Sequence, residues 1–154
     1  MLLTYTGYRL SEALALSSIS VQPSAKILAV RSLKKRNKPV VREVPIPDVL
    51  VELLEHASEL SPTPQHQPGT VNAFCPWKRT WAWVRVKRVM AQANIVGMQA
   101  SPKGLRHGFG VHAVQSGVPL NLVQKWLGHA QLSTTAIYAV AVGPEEYAIA
   151  QRMW

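Results

Sequence analysis

Cysteine is almost absent from this chain: Cys75 is the only one among 154 residues. No intrachain disulfide can form, and zinc sites built from several cysteines are excluded. Phe74, Pro76 and Trp77 flank the thiol, and no catalytic partner stands near it in sequence, so a structural role is expected. Long apolar runs are also missing. No stretch approaches the roughly 20 residues needed to span a bilayer, and the start MLLTYTGYRLSE lacks the basic, apolar and small-residue parts of a secretory signal. The cytoplasm is therefore the expected location, with no membrane partner. Acids are scarce, and absent over long tracts: from Leu60 to Pro144 there is not one.

What remains is strongly basic. Seventeen Lys and Arg against eight acids give a formal charge of +9, which favours a polyanionic partner. The charges are segregated. Lys26 to Arg42 hold seven basic residues and no acid, whereas five of the eight acids lie between Glu43 and Glu59. One positive face is expected, with nucleic acid favoured over an anionic membrane because no basic amphipathic helix appears. At this length one domain with its own core is expected.

The pattern along the chain alternates helical and strand signals. Leu10–Leu16 reads as a helix, with Ser11 and Glu12 near its start. Ile27–Val30 and Val40–Val44 are β-prone runs flanking a basic, proline-containing bend, hence an antiparallel hairpin. Asp48–Leu60 sets Val49, Leu50, Leu53, Leu54 and Ala57 at helical spacing with its acids opposite. Residues Ser61–Thr70 form a polar, proline-rich loop. Trp77–Ala93 is expected to be helical, its stripe of Trp81, Val84, Val89 and Ala93 facing the core. Helices over Gly104–Gln115, Leu120–Leu127, Ser133–Val140 and Pro144–Met153 complete the chain.

Four segments carry chemistry. TGYRLSEALAL (residues 6–16) holds Arg9 beside a helix start with Glu12 three residues on. The basic hairpin spans residues 31–45. SPKGLRHGFGVHA (101–113) places Lys103 and Arg106 three apart, on one helical face. LGHAQLSTTAIYA (127–139) puts His129 nine residues before Tyr138. This ordered set resembles the tyrosine recombinase (phage integrase) family, whose signature is an Arg in a TGxRxxE segment, a hairpin Lys, an HxxR pair, an LGH box and a Tyr about nine residues later. Arg9, Lys34, Arg106, His129 and Tyr138 match in order. Lys103 departs, standing where the family usually has His. The resemblance covers residues 4–154.

The resemblance implies a mainly α-helical α+β catalytic domain with a small antiparallel sheet. It also implies that residues 1–154 are a single catalytic domain lacking the N-terminal core-binding domain and the start of the catalytic domain. The implied activity is site-specific DNA recombination through a 3′-phosphotyrosyl intermediate, with no metal, other cofactor, ATP or small-molecule substrate. Tyr138 would be the nucleophile, and Lys34 the general acid, with Lys35 the alternative. His129 would donate a hydrogen bond to the phosphate or leaving group, and Glu12 would orient a catalytic neighbour. Lys103, in place of the usual His, would hold the phosphate, or act as a base toward the tyrosine if burial or neighbouring cations lower its pKa. Lys35, Arg36, Lys38 and Arg42 are expected to contact DNA.

Double-stranded DNA is the implied partner, with a tetramer assembled on it by exchange of the C-terminal helix and a nucleoid-associated location when bound. Elementary chemistry agrees: arginine binds phosphate as a planar fork and stays charged, and a phenol can form a covalent intermediate that conserves bond energy. A DNA-binding remnant that no longer cuts is the alternative. A plain helix-turn-helix binder leaves Arg9, the hairpin and Lys103–Arg106 unexplained. A type IB topoisomerase shares the chemistry, and the LGH box and compact spacing disfavour it. His56, His66, His107 and His112 lack metal-site spacing and are expected to be structural or surface residues.

Overall fold

A computed structural model describes residues 1–31, 40–59 and 73–139. The expected helix over Pro144–Met153, the loop Ser61–Thr70, and the hairpin tip with Lys34, Lys35, Arg36 and Lys38 lie outside these residues. Two short helices open the fold, α1 (Leu2–Thr6) and α2 (Leu10–Leu14). The second starts at Arg9, where the Glu12 carboxylate accepts the Arg9 backbone N–H at 2.9 Å, relieving one of the orphan amides of a helix start.

A 3₁₀ turn at Ser18–Ser20 leads into a three-stranded antiparallel sheet in the order β1 (Val21–Gln22), β2 (Ile27–Arg31), β3 (Val41–Pro45). The hairpin expected from sequence is β2–β3, in a register that pairs Val30 with Arg42 and Leu28 with Val44. Alternation along these strands turns Leu28 and Val30, then Arg42 and Val44, into the interior. β1 was not anticipated, because two residues are too short to show a period.

Helix α3 (Asp48–Glu59) covers the sheet with Leu50, Val51 and Leu54, leaving Val49 and Leu53 exposed. Helix α4 (Arg79–Gln92) follows. Its expected apolar stripe is a correction: Trp81, Val84 and Val89 are 55, 57 and 62 % exposed, and Ala82 and Met90 are the buried positions. Helix α5 (Pro102–Gln115) begins where Ser101 Oγ accepts the Gly104 N–H at 3.1 Å and Pro102 fills the first turn. Helices α6 (Leu120–Leu127) and α7 (Ser133–Ala136) end the described chain.

The core has two parts. One joins Tyr8, Leu16, Leu28, Val44, Ile46, Leu50 and Leu54 beneath the sheet. The other joins Ala113, Val123, Leu127 and Tyr138 between α5 and α6. The charged residues described next lie among elements of both. Among the described residues no helix is long and apolar enough to cross a membrane.

Candidate active site

Glu12 is the centre of the arrangement. Its side chain is only 1 % exposed, which for a carboxylate demands cationic partners. Oε1 receives the Arg9 guanidinium through Nη1 at 2.8 Å. Oε2 accepts the Arg9 amide and lies 2.7 Å from Arg42 Nη2. Burial pushes the Glu12 carboxyl up, but the Arg9 amide hydrogen bond and the charges of Arg42 and Arg9 outweigh it, and the group is held below the ordinary carboxylate range.

Arg106 enters from α5. It donates from Nη1 to the Gly7 carbonyl at 2.8 Å and from Nη2 to the Leu127 carbonyl at 2.6 Å. The side chain thus ties the α1–α2 turn to the end of α6. Burial, then the nearby Arg9 charge, lowers its pKa to about 10. That still leaves it protonated at neutral pH.

Tyr138 is 4 % exposed. Its ring rests on the backbone of α5 at Gly110, where an added Cβ would fall 2.6 Å from Tyr138 Cζ; only glycine admits that approach. The His107 ring stands 5.2 Å away on one side, and the His129 ring stacks at 6.2 Å and 18°. Burial raises the phenol pKa while the Arg106 charge opposes the rise. A buried phenol next to a guanidinium is protonated at rest, with a cation already placed to favour its phenolate.

His129 follows Gly128, the left-handed C-cap of α6 at φ 65°. Its Nδ1 is 2.9 Å from the hydroxyl of the fully buried Thr135, which fixes the ring. Lys103 is exposed on the first turn of α5 and lines a groove of about 400 Å³ with Arg9, Arg106, Arg79, Trp83 and Ser101. A second groove, of about 660 Å³, is lined by Arg9, Arg42, Lys125, Gly128, His129 and Thr134, among others. Arg9 lies on both. The described lining of the two is rich in cations and holds no acid.

The structure therefore brings Arg9, Glu12, Arg106, His129 and Tyr138 together and places Lys103 at the rim. The chain belongs to the phage integrase family. The family model matches residues 1–142. Tyrosine recombinase XerD of Halalkalibacterium halodurans is 35 % identical over 143 residues, covering 89 % of this chain and 46 % of that protein. XerD of Brucella abortus biovar 1 is 32 % identical over 136 residues, covering 86 % and 44 %. Among solved structures, XerA recombinase superposes with a TM-score of 0.73 at 26 % identity, over 89 % of this chain and 50 % of that one. The Tn1549 transposon integrase in complex with circular intermediate DNA shares the fold, at TM-score 0.78 and 17 % identity, over 99 % of this chain and 57 % of that one. The chain thus spans about half the length of the integrase-family proteins it matches. The mainly helical catalytic-domain fold with a small antiparallel sheet is the fold of these recombinases.

One expected integrase DNA contact is corrected. Arg42 is not on an open face but 4 % exposed, with its guanidinium turned to Glu12. Its position was legible in principle, since a period of two from the apolar Val44 points it inward. Sequence reasoning also missed Thr135, Arg79, and the contact of His107 and Gly110 with the Tyr138 ring. Gly110 lies one helical turn beyond Arg106, which is the signal that could have found it. Cys75 is half-buried with its thiol pKa raised by burial, as a packing residue requires. Among the described residues no three His, Cys, Asp or Glu side chains cluster to hold a metal ion.

Proposed function

We propose that this chain is the strand-transfer portion of a tyrosine recombinase acting on double-stranded DNA. The observation that carries it is the seat of Tyr138, buried on Gly110 beside His129 and within the field of Arg106. The phenolic oxygen attacks the scissile phosphorus, forming a 3′-phosphotyrosyl bond as the bond to the 5′ oxygen breaks. Arg9 and Arg106 bind the nonbridging oxygens, where charge builds in the transition state. His129 donates a hydrogen bond to the phosphate, and Lys103 reaches it from the groove edge.

The hairpin lysine, Lys34 with Lys35 as the alternative, protonates the leaving oxygen. Arg36 and Lys38 grip the backbone nearby. Reversal with a second strand's 5′ hydroxyl exchanges partners, so the chemistry needs neither ATP nor hydrolysis. Support comes from the family match, from relatives named as recombinases, and from a neighbour of the same fold held on DNA. Self-association on DNA as a tetramer, through exchange of the segment 144–153, belongs to the same reading.

The test is a nicked suicide DNA substrate in EDTA, read by SDS-resistant protein–DNA adducts. The wild-type chain is expected to form the adduct and Tyr138→Phe to lose it entirely. Salt-sensitive DNA binding with no adduct from the wild-type chain would replace this reading with that of a DNA-binding remnant.

A further inference from the structure

We propose that Arg42 is a positioning residue of the strand-transfer site, cancelling the charge of Glu12 so that Arg9 keeps its own for the phosphate. The inference rests on the recombinase reading above and extends it to a residue outside the ordered motif.

Three guanidinium groups, Arg9, Arg42 and Arg106, surround one buried carboxylate. If Glu12 paired with Arg9 alone, it would neutralise half of the phosphate clamp. Arg42 takes up that charge from the opposite side, at Oε2. Arg9, whose side chain is 25 % exposed, then offers its positive charge to the two grooves it lines.

Arg42 also fixes position. Nη1 donates to the Trp126 carbonyl at 2.6 Å, in the last turn of α6. Its guanidinium lies 5.4 Å from the Tyr8 ring, and Tyr8 in turn donates to the Leu28 carbonyl of β2 at 2.7 Å. A Cβ on Gly128 would come within 2.7 Å of Arg42 Cδ and Nε, so the glycine before His129 leaves room for this side chain. One arginine on β3 therefore joins the strand that leaves the lysine-bearing hairpin, the turn of Arg9 and the turn of His129. Nη2 meets Glu12 off the hydrogen-bonding angle, and Nε has no hydrogen-bond partner among the described residues. The contact with Glu12 is thus chiefly one of charge.

Arg42→Met keeps the aliphatic stem and removes the charge. DNA affinity across a salt series is expected to keep its slope, because no phosphate contact is lost. The adduct-forming rate at saturating DNA is expected to fall about a hundredfold, the scale of one lost electrostatic donor. A partial recovery of rate is expected as pH falls toward 5: among the described residues Glu12 is then faced by Arg9 and Tyr8 from its own turn and Arg106 from α5, it titrates nearer the ordinary range, and its protonation frees the Arg9 charge. Arg42→Lys restores part of the rate. Glu12→Gln/Arg42→Met, which leaves no orphan charge, carries the same comparison if the single variant does not fold, and is expected to cut faster than Arg42→Met.

A salt slope reduced by about one, with the rate at saturation unchanged, would overturn the proposal in favour of a phosphate contact. The titration of the Glu12 carboxyl, followed by NMR in the DNA-free protein, separates this inference from the recombinase reading. It should rise in Arg42→Met. An unmoved titration defeats the inference even if the wild-type chain forms adducts, and a missing wild-type adduct defeats the recombinase reading whatever the titration shows.

Discussion

Glu12 is the most constrained side chain at the residue scale, a buried anion held by two arginines and one amide. Its depressed pKa has a thermodynamic consequence with a definite sign. The unfolded carboxyl titrates near 4.3 and the folded one lower, so the stabilisation is full above about pH 5 and fades as pH falls through the folded value. Glu12→Gln removes one partner of a buried ion pair, a change that typically costs about 3–5 kcal/mol. Urea midpoints of wild type and Glu12→Gln should differ widely at pH 7 and draw together as pH falls through the lowered range of the folded carboxyl. A gap that stays constant down to the acid unfolding of both proteins would show that Glu12 is stabilised by something other than its charge. The residues that the fold brings together were readable at this scale because each is a chemically distinct type at a fixed spacing. Arg42 was not, because its partner lies thirty positions away in sequence and neighbouring basic residues disguise it.

At the scale of elements, α4 shows how helix limits can be legible while the helix face is not. Its extent follows from propensity and from the proline and turn residues around it. Its buried side depends on what it packs against. Here it meets α2 and α5 through Ala82, Met90 and the half-buried Val86. The larger apolar residues are left outside, where Arg85 lies over Trp77 and Trp81 and Lys87 over Trp83. Periodicity could not choose between these faces, since both carry apolar residues and neither carries an acid. Met90→Ala is therefore expected to cost about 2–5 kcal/mol, whereas Val84→Ala should stay within about 0.5 kcal/mol. Denaturant unfolding of the two variants checks this, and equal losses would restore the core assignment of the larger stripe. Helix α6 was legible from end to end, because an apolar face and a terminal glycine coincide there.

Across the whole molecule, the site is assembled from both ends of the chain. Arg9 and Glu12 come from the first turn of the fold, Arg106 from α5, and His129 and Tyr138 from the last described segment. Arg106 spans the junction by gripping one carbonyl from each side, so the fold and the site cannot be lost separately. The seat of Tyr138, the proposed nucleophile, has a further consequence for stoichiometry. Tyr138 is packed against Gly110 and lies in the field of Arg106 of its own chain, so no neighbour needs to lend a tyrosine. In a mixture, a protomer lacking the phenol and a protomer lacking the guanidinium would each remain dead. Combining Tyr138→Phe with Arg106→Ala on one DNA should give no adduct at any ratio, and recovery of cutting would mean that tyrosines are shared between subunits. A DNA-bound assembly of such chains would then be an alliance of self-sufficient cutters, each bringing its own phenol and guanidinium to the phosphate it attacks.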